Sequence, residues 1–196
     1  MTLERPIVLA SGSPRRQQLL EMLRIPFRVI APDVDEHVRA AEPPDHYVRR
    51  LARDKAIAVA ARAPGEVILA ADTTVVLDGE IFGKPESPAD AVAMLTRLQG
   101  RTHEVMTGVA VMGGDGDVAQ ALDVSRVTFR PMDRAGLEAY VATGEPLDKA
   151  GAYAIQGLGA LLIARVDGDV YGVMGLPVGL VVDLLARFGR PYRFAR

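Results

Sequence analysis

The chain of 196 residues contains no cysteine. This absence excludes disulfides, thiolate metal sites and cysteine nucleophiles, and it is consistent with a cytoplasmic location. Tryptophan is also absent and aromatic residues make up only 5% of the chain, so the stacking platforms of nucleic-acid-binding proteins are scarce. The formal net charge is −2, from 23 basic and 25 acidic residues, so no global positive field attracts DNA or an anionic membrane. We therefore expect no nucleic-acid or membrane partner, and any anion site has to be local.

Long apolar runs are missing as well. Residues 1–10 contain only four consecutive apolar residues before Ser11, which is too few for the core of a signal peptide. The longest apolar run, over 172–182, is too short to span a membrane and ends at Asp183. Apolar residues make up 49% and charged residues 24%, which excludes disorder. We expect an unexported, cytoplasmic protein with one domain over residues 1–196.

Hydrophobic periodicity and turn signals predict helices interleaved with β-hairpins. Strands are predicted over 7–10, 27–30, 67–77, 80–84, 104–112, 119–130, 161–166 and 170–173. Helices are predicted to start at Ser13-Pro14, to run from Ser87-Pro88 to Gly100, and to span 47–61, 133–143 and 177–188. Because helices do not follow every strand, this order favours an α/β fold with a mixed β-sheet covered by helices over a pure βαβ repeat.

The first candidate site follows the first predicted strand, where residues 11–16 read Ser-Gly-Ser-Pro-Arg-Arg. Free backbone N–H groups at a helix start favour a bound anion, and two arginines in the first turn add donors suited to phosphate oxygens. The candidate ligands are Ser11, Ser13, Arg15 and Arg16. A capped helix with solvated arginines explains the same pattern, so these residues alone do not decide between the two.

Asp72 interrupts an apolar strand, where an unpaired carboxylate carries a heavy desolvation cost. A two-residue turn at Asp78-Gly79 places Leu77 opposite Glu80 and, by extrapolation, residue 73 opposite Lys84. Lys84 is thereby brought beside the Asp72 region, although strict alternation puts the two side chains on opposite faces unless residues 83 or 85 break the pleat. A structural ion pair and a catalytic carboxylate are equally consistent with this pattern.

Three further polar residues are candidates. Lys55 lies on the apolar stripe of a predicted helix, either pointing inward or extending to the rim. Glu36 belongs to an acidic cluster, which is either a solvated loop or, with Asp72, a pair of carboxylates that suits Mg²⁺ or Mn²⁺. Gln156, in a glycine-rich segment, is either a surface residue or a reader of the adjacent N–H and C=O of uracil or thymine.

Several common site motifs are excluded. The segment 79–85 has the wrong spacing for a phosphate loop and a proline where Ser or Thr is required. His37, His46 and His103 lack metal-ligand spacing. No dinucleotide-binding fingerprint and no nucleophile elbow are present.

Eight short segments together resemble the Maf family of nucleoside triphosphate pyrophosphatases, and they occur in family order across nearly the whole chain. They are LASGSPRR (9–16), VDE (34–36), ARDKA (52–56), ADT (71–73), GKP (83–85), GRTHEV (100–105), GAYAIQGLG (151–159) and GLP (175–177). The resemblance implies a Maf/ITPase-like fold with a substrate cleft. It also implies hydrolysis of the α–β phosphate bond of a nucleoside triphosphate with a divalent metal, and it suggests a homodimer.

The resemblance also implies roles for individual residues. Asp72 is implied to accept a proton, with Glu36, Lys55 and Lys84 around the metal and the phosphates; Glu36 and Asp72 are the metal candidates. Arg15, Thr73 and Gln156 occupy positions that separate substrate branches, and Gln156 matches the dTTP/UTP branch. The alternatives are a 7-methyl-GTP pyrophosphatase of the same family, an enzyme acting on non-standard pyrimidine nucleotides and a non-enzymatic regulator of cell division.

Overall fold

The computed structural model describes residues 5–194. The strands are β1 (Ile7–Leu9), β2 (Phe27–Val29), β3 (Ile68–Leu77), β4 (Glu80–Phe82), β5 (Thr102–Met112), β6 (Val118–Phe129) and β7 (Ile163–Asp167). The α-helices are α1 (Pro14–Met22), α2 (Pro44–Ala60), α3 (Pro88–Leu98), α4 (Arg134–Ala142), α5 (Val170–Val173) and α6 (Val178–Arg187). Two 3₁₀ helices span Ala150–Ala152 and Gly157–Leu162. No helix among residues 5–194 is long and apolar enough to cross a membrane.

The strands form one mixed sheet in the order β2-β1-β3-β5-β6-β7, with β4 also paired to β3. β1 is parallel to β2 and to β3, whereas every other pair is antiparallel. The prediction of a mixed α/β sheet with hairpins and covering helices is therefore confirmed.

The edge of β3 that faces β1 and β4 is interrupted. β1 pairs with β3 only at Ile68 and Leu69, and β4 pairs with it only from Val75 to Leu77. Between these two stretches, β3 has no strand of the described chain on that side, while β5 pairs with it continuously on the other. Asp72 lies in this gap, so a buried strand of the sheet is open to a cleft there.

Alternation along β3 assigns its residues to the two faces of the sheet. Ile68 and Ala70 pack in one hydrophobic cluster with α2, whereas Leu69 and Ala71 pack in another with α1 and α6. Helix α2 approaches the sheet closely, because a Cβ added at Gly108 of β5 would lie 2.5 Å from the carbonyl oxygen of Val48. A third cluster lies beneath α3 and α4.

Two predicted elements differ from the structure. Residues 170–173 form helix α5 rather than a strand, because the Asp169 side chain accepts a hydrogen bond from the N–H of Tyr171 and caps a helical turn. The strand predicted to begin at 161 begins at Ile163, since the 3₁₀ helix Gly157–Leu162 precedes it. Both errors fall in short apolar segments, where the apolar pattern fits a strand or a helical turn and local hydrogen bonds decide the conformation.

The register of the β3–β4 hairpin is confirmed at the turn and wrong further away. Leu77 pairs with Glu80 as predicted, but the ladder ends at the pair Val75 and Phe82. Lys84 therefore does not lie opposite Thr73. On the other edge of β3, Thr73 pairs with Thr107 of β5. The chain leaves the pleat after Phe82, and this departure permits Lys84 to reach the same cleft as Asp72.

Candidate functional site

A cleft of about 890 Å³ lies over the interrupted edge of β3. All ten candidate site residues line it, drawn from the loop before α1, α1 itself, the acidic loop, α2, β3, the segment after β4 and the glycine-rich segment. They are Ser11, Ser13, Arg15, Arg16, Glu36, Lys55, Asp72, Thr73, Lys84 and Gln156. Residues separated by up to 145 positions in sequence are thus collected in one place, while the role of each remains a prediction.

The centre of the cleft is an ion pair network of one lysine and two carboxylates. Nζ of Lys55 lies 2.6 Å from Oδ1 of Asp72 and 2.6 Å from Oε1 of Glu36. Lys55 and Asp72 are each only 7% exposed, whereas the side chain of Glu36 is half-exposed. Lys55 therefore points inward rather than extending to the rim. It does so because Asp72 is in phase with Ile68 and Ala70, on the face that α2 covers.

The environment shifts the two carboxyl groups in opposite directions. Burial raises the pKa of Asp72 above its usual range, although the nearby Lys55 and Arg16 oppose that effect. Burial also acts to raise the pKa of Glu36, but the hydrogen bond from Lys55 and the charges of Lys84 and Arg16 outweigh it, so the pKa is lowered. Asp72 is the better proton acceptor of the two, since its ionised form is the less stabilised.

The acidic loop is held in place rather than freely solvated. The hydroxyl of Tyr47 donates to the carbonyl oxygen of Glu36 at 3.0 Å, and Arg50 donates to the carbonyl oxygen of His37 at 3.1 Å. Arg50 also forms two hydrogen bonds with the carboxylate of Glu42, at 2.6 and 2.7 Å. Burial, with the charges of Asp72 and Glu36, raises the pKa of Tyr47 to about 12, so the hydroxyl remains a donor.

The donor set at the centre fits a divalent metal that is bound together with a ligand. Asp72 and Glu36 offer hard carboxylate oxygens from two different segments, as Mg²⁺ and Mn²⁺ prefer. Among residues 5–194, no group of three or more His, Cys, Asp or Glu side chains forms a complete metal cage. Mg²⁺ is commonly held by one or two carboxylates, with water and phosphate oxygens supplying the rest. The two carboxylates fit that pattern.

Arg16 is buried and already engaged by the protein. Its Nε donates to the carbonyl oxygen of Gly175 at 2.8 Å, Nη1 to Oγ of Ser11 at 3.1 Å and Nη2 to Oγ1 of Thr73 at 3.3 Å. Burial lowers the pKa of this guanidinium, although Asp72 opposes the shift. The alternative of solvated arginines is therefore wrong for Arg16, whose remaining N–H groups are held in a fixed direction beside the cleft.

Arg15 and Ser13 differ from Arg16 in their surroundings. The side chain of Arg15 is partly exposed, and its Nη1 lies 3.7 Å from Oδ2 of Asp148. The N–H of Ser13 donates to Oγ of Ser11 at 3.1 Å, so Ser11 satisfies one backbone donor of the expected anion site. Ser13 precedes α1 without a side-chain capping bond.

Thr73 belongs to a chain of hydroxyl groups that sequence reasoning missed. The hydroxyl of Thr107 donates to the carbonyl oxygen of Gly172 at 2.8 Å, and Oγ1 of Thr73 lies 2.9 Å from Oγ1 of Thr107. Because the single proton of Thr107 is used, Thr73 donates to Thr107 and accepts from Arg16. Thr73 therefore offers the cleft an acceptor only. Thr107 is 65 positions away from Gly172, so no local pattern indicates this contact.

Lys84 and Gln156 lie on two different segments that line the cleft, and both are exposed. The segment before Lys84 is tied to the glycine-rich segment, because the N–H of Gly151 donates to the carbonyl oxygen of Gly83 at 3.0 Å. The lining residues that were not among the candidates include Asp148, Lys149 and Tyr153. The Asp-Lys pair just before the glycine-rich segment was visible in the sequence but was not singled out.

A mixed sheet with an interrupted edge, a buried carboxylate in the gap and cationic side chains around it defines an α/β protein whose cleft suits a polyanionic, metal-bound ligand. Comparison with known families agrees with this class. The chain belongs to the Maf family, since the family described as Maf-like protein matches residues 6–188. The resemblance stated from the sequence motifs is thereby confirmed.

Curated relatives are similar over almost their whole length. The dTTP/UTP pyrophosphatase of Symbiobacterium thermophilum is 52% identical over 185 residues, which cover 94% of this chain and 95% of the relative. The protein of the same name from Myxococcus xanthus is 53% identical over 185 residues, covering 94% of this chain and 93% of the relative. That of Moorella thermoacetica is 52% identical over 186 residues, covering 93% and 95%.

Proposed function

We propose that this chain hydrolyses the α–β phosphate bond of dTTP and UTP, releasing the nucleoside monophosphate and pyrophosphate in a reaction that requires Mg²⁺ or Mn²⁺. The observation that carries the proposal is the Asp72 carboxylate, buried in a strand yet open to a cleft and paired with Lys55. The name dTTP/UTP pyrophosphatase, borne by relatives about half identical over nearly full length, supports the substrate class.

The proposed reaction begins with water. Its oxygen attacks the α-phosphorus, the bond from that phosphorus to the bridging oxygen breaks, and pyrophosphate leaves with the electron pair. Asp72 accepts the proton of the water, a role that its raised pKa favours. A divalent ion held by Asp72 and Glu36 would neutralise negative charge on the phosphates.

The cations of the cleft have separate roles in this proposal. Lys55 orients Asp72 and Glu36, to which it is bonded in the structure. Lys84 is exposed at the rim, and Arg15 in the first turn of α1 is partly exposed with only a 3.7 Å contact to Asp148, so both can contact phosphate oxygens. Arg16 holds Ser11 and Thr73 in place while its charge faces the phosphates.

Gln156 is proposed to read the base. Its amide offers one donor and one acceptor, which match the C=O and N–H of uracil or thymine. Among residues 5–194 no hydrogen-bond partner holds this amide, so it is free for a ligand at the rim of the cleft. Thr73, as an acceptor, suits a donor group of the substrate rather than a phosphate oxygen.

Three features of the proposal rest on the sequence rather than on the site. We propose that residues 1–196 work as one domain, that the protein acts in the cytoplasm and that it forms a homodimer. The absence of cysteine supports the location, and the family resemblance supports the dimer. Gel filtration with light scattering measures the dimer directly.

The decisive experiment measures pyrophosphate release from dTTP, UTP, CTP, GTP and 7-methyl-GTP. We expect the highest kcat/KM for dTTP and UTP, loss of activity with EDTA, and recovery on addition of Mg²⁺ or Mn²⁺. Asp72→Asn should reduce kcat by at least about 1,000-fold, because the proton acceptor and a metal ligand are lost together. Release of orthophosphate instead of pyrophosphate, or full activity in EDTA, would contradict the proposed reaction.

A further inference from the structure

The segment that carries Gln156 is ordered by contacts outside the cleft. It runs from Ala154 to the 3₁₀ helix Gly157–Leu162, and Gln156 itself has an extended backbone with φ of −95° and ψ of 165°. Gly157 follows with φ of +69°, a left-handed conformation that favours glycine. The direction in which the Gln156 side chain leaves the backbone is therefore set by this short, irregular stretch.

Glu145, in the loop after α4, binds the far side of this stretch. Its Oε2 accepts a hydrogen bond from the N–H of Leu158 at 2.9 Å, and its Oε1 accepts from the N–H of Gly159 at 2.8 Å. A Cβ at Gly157 would lie 2.4 Å from Oε2, so only glycine permits this approach. The carboxylate of Glu145 thus accepts hydrogen bonds from two backbone N–H groups that follow shortly after Gln156.

The near side of the stretch is bound through Tyr140. The hydroxyl of Tyr140 donates to Oε1 of Glu145 at 2.9 Å and accepts from the N–H of Ala154 at 3.2 Å. Tyr140 is only 8% exposed, and its ring packs in the cluster beneath α3 and α4. Glu145 and Tyr140, which we call the Glu145 network, therefore bond to the backbone on both sides of Gln156 and connect it to the core.

The Glu145 network is ionic. Burial acts to raise the pKa of Glu145, but the hydrogen bonds from Leu158, Gly159 and Tyr140 outweigh it, so the pKa is lowered and the carboxylate is charged at neutral pH. Hydrogen bonds from backbone N–H groups to a charged carboxylate are roughly twice as strong as neutral ones. Glutamine at position 145 would keep the shape, lose that charge and place an NH₂ donor where one of the two accepting oxygens lies.

Selection between bases of different size requires such a fixed support. Guanine offers the same adjacent C=O and N–H as thymine and uracil, but its second ring places them farther from the sugar. On a loose segment the side chain of Gln156 could shift to follow either base. On a fixed segment the amide reaches the base edge at one distance from the sugar, so the larger base is penalised.

We infer that Glu145, acting with Tyr140, is a positioning residue for base selection, which holds Gln156 at the distance that separates thymine and uracil from guanine. This inference rests on the proposed function. Glu145 is absent from the residues lining the cleft, so it acts through Gln156 and not on the phosphates.

The test compares kcat/KM for dTTP and dGTP in the wild type, in Glu145→Gln and in Glu138→Gln. Glu138 is the matched control, because it lies on α4 and pairs with the exposed Arg134. Misplacing a contact group by about 1 Å can cost about 100-fold in rate. We expect the preference for dTTP over dGTP to fall about 10-fold or more in Glu145→Gln, with kcat on dTTP within about 3-fold of wild type. Glu138→Gln should match the wild type.

The background of Gln156→Ala separates positioning from general stability. If Glu145 acts through Gln156, adding Glu145→Gln to Gln156→Ala leaves the preference unchanged. Tyr140→Phe, which removes one hydroxyl, serves as a second variant should Glu145→Gln fail to fold, and we expect it to lower the preference as well.

The outcomes distinguish this inference from the proposed function. An unchanged preference in folded Glu145→Gln or in Tyr140→Phe overturns the inference, as does an equal loss of preference in the Gln156→Ala background. A wild type that does not release pyrophosphate from dTTP overturns the proposed function instead. A wild type that prefers dTTP, with variants that do not, supports both.

Discussion

Lys55 and Asp72 form one ion pair, but we predict that replacing Lys55 lowers the free energy of unfolding more than replacing Asp72 does. Lys55→Met leaves Asp72, 7% exposed, without its ammonium partner, and also frees Glu36. Removing one partner from a buried ion pair typically costs about 3–5 kcal/mol, because the remaining charge is uncompensated. We therefore expect Lys55→Met to lower the free energy of unfolding by an amount in that range at neutral pH.

Asp72→Asn has a smaller effect on stability. Lys55 keeps the carboxylate of Glu36 at 2.6 Å, and the carbonyl oxygen of an asparagine can still accept a hydrogen bond from Nζ. The loss is limited to the difference between a charged and a neutral hydrogen bond, and removal of a buried charge offsets part of it. We expect less than about 2 kcal/mol, although both variants should lose nearly all pyrophosphate release.

Urea unfolding followed by circular dichroism measures these free energies. Lys84→Met is the matched control, since it removes a lysine from the same cleft at an exposed position and should change stability by no more than about 0.5 kcal/mol. The pH dependence adds a check: because burial raises the pKa of Asp72, an unpaired Asp72 takes up a proton as the pH falls, so the deficit of Lys55→Met should shrink below neutral pH. A loss in Asp72→Asn equal to that in Lys55→Met would refute the reasoning.

Two further predictions concern the sheet that supports the site. His103 is 2% exposed and its Nδ1 has no hydrogen-bond partner among residues 5–194, so burial lowers its pKa from 6.5 to about 4. As the pH falls, His103 is protonated in the unfolded chain before it is protonated in the folded chain. The free energy of unfolding should therefore fall by about 3 kcal/mol between pH 6.5 and pH 4. Replacing both His103 and its partner Tyr153 by phenylalanine should remove most of this pH dependence of the free energy of unfolding. An unchanged pH dependence would show that other groups cause it. Gly108→Ala should destabilise the protein by about 1–3 kcal/mol and reduce activity, because the added methyl group displaces α2 and with it Lys55. Gly179→Ala in α6, with no atom within 4 Å of the added Cβ, should instead be neutral or stabilising by thermal unfolding.

Local patterns predicted those parts of the site that depend on a single element. The apolar stripe of α2 marked Lys55 as a candidate but left open whether it points inward or extends to the rim, whereas the pairing of Leu77 with Glu80 followed from the Asp78-Gly79 turn. The predicted extension of that register to Lys84 was wrong, because where a strand ends depends on what pairs with it. Residues 170–173 were assigned to the wrong element because one capping carboxylate outweighs a short apolar pattern.

Contacts between distant segments could not be predicted in this way. Thr107 meets Gly172, and Glu145 meets Leu158 and Gly159, only after the sheet and the helices on it are in place. Neither Thr107 nor Glu145 has a sequence neighbour that marks it as functional. Their roles depend on which hydrogen bonds remain available to a buried hydroxyl or carboxylate, and only the folded chain determines that.

The interrupted edge of β3 explains why a polar site can exist in an apolar sheet. In a continuous sheet, a carboxylate at position 72 would be enclosed by a neighbouring strand and would carry the desolvation cost without any access to a ligand. Here the short β1 and β4 leave that position open, while β5 on the other side keeps the backbone rigid. Alternation then directs Asp72 to Lys55 of α2 and Thr73 to Arg16 of α1, so consecutive residues present a carboxylate and a hydroxyl oxygen to one cleft from opposite faces. Lengthening β4 toward β1 would close this gap, and we expect it to abolish activity even where stability increases.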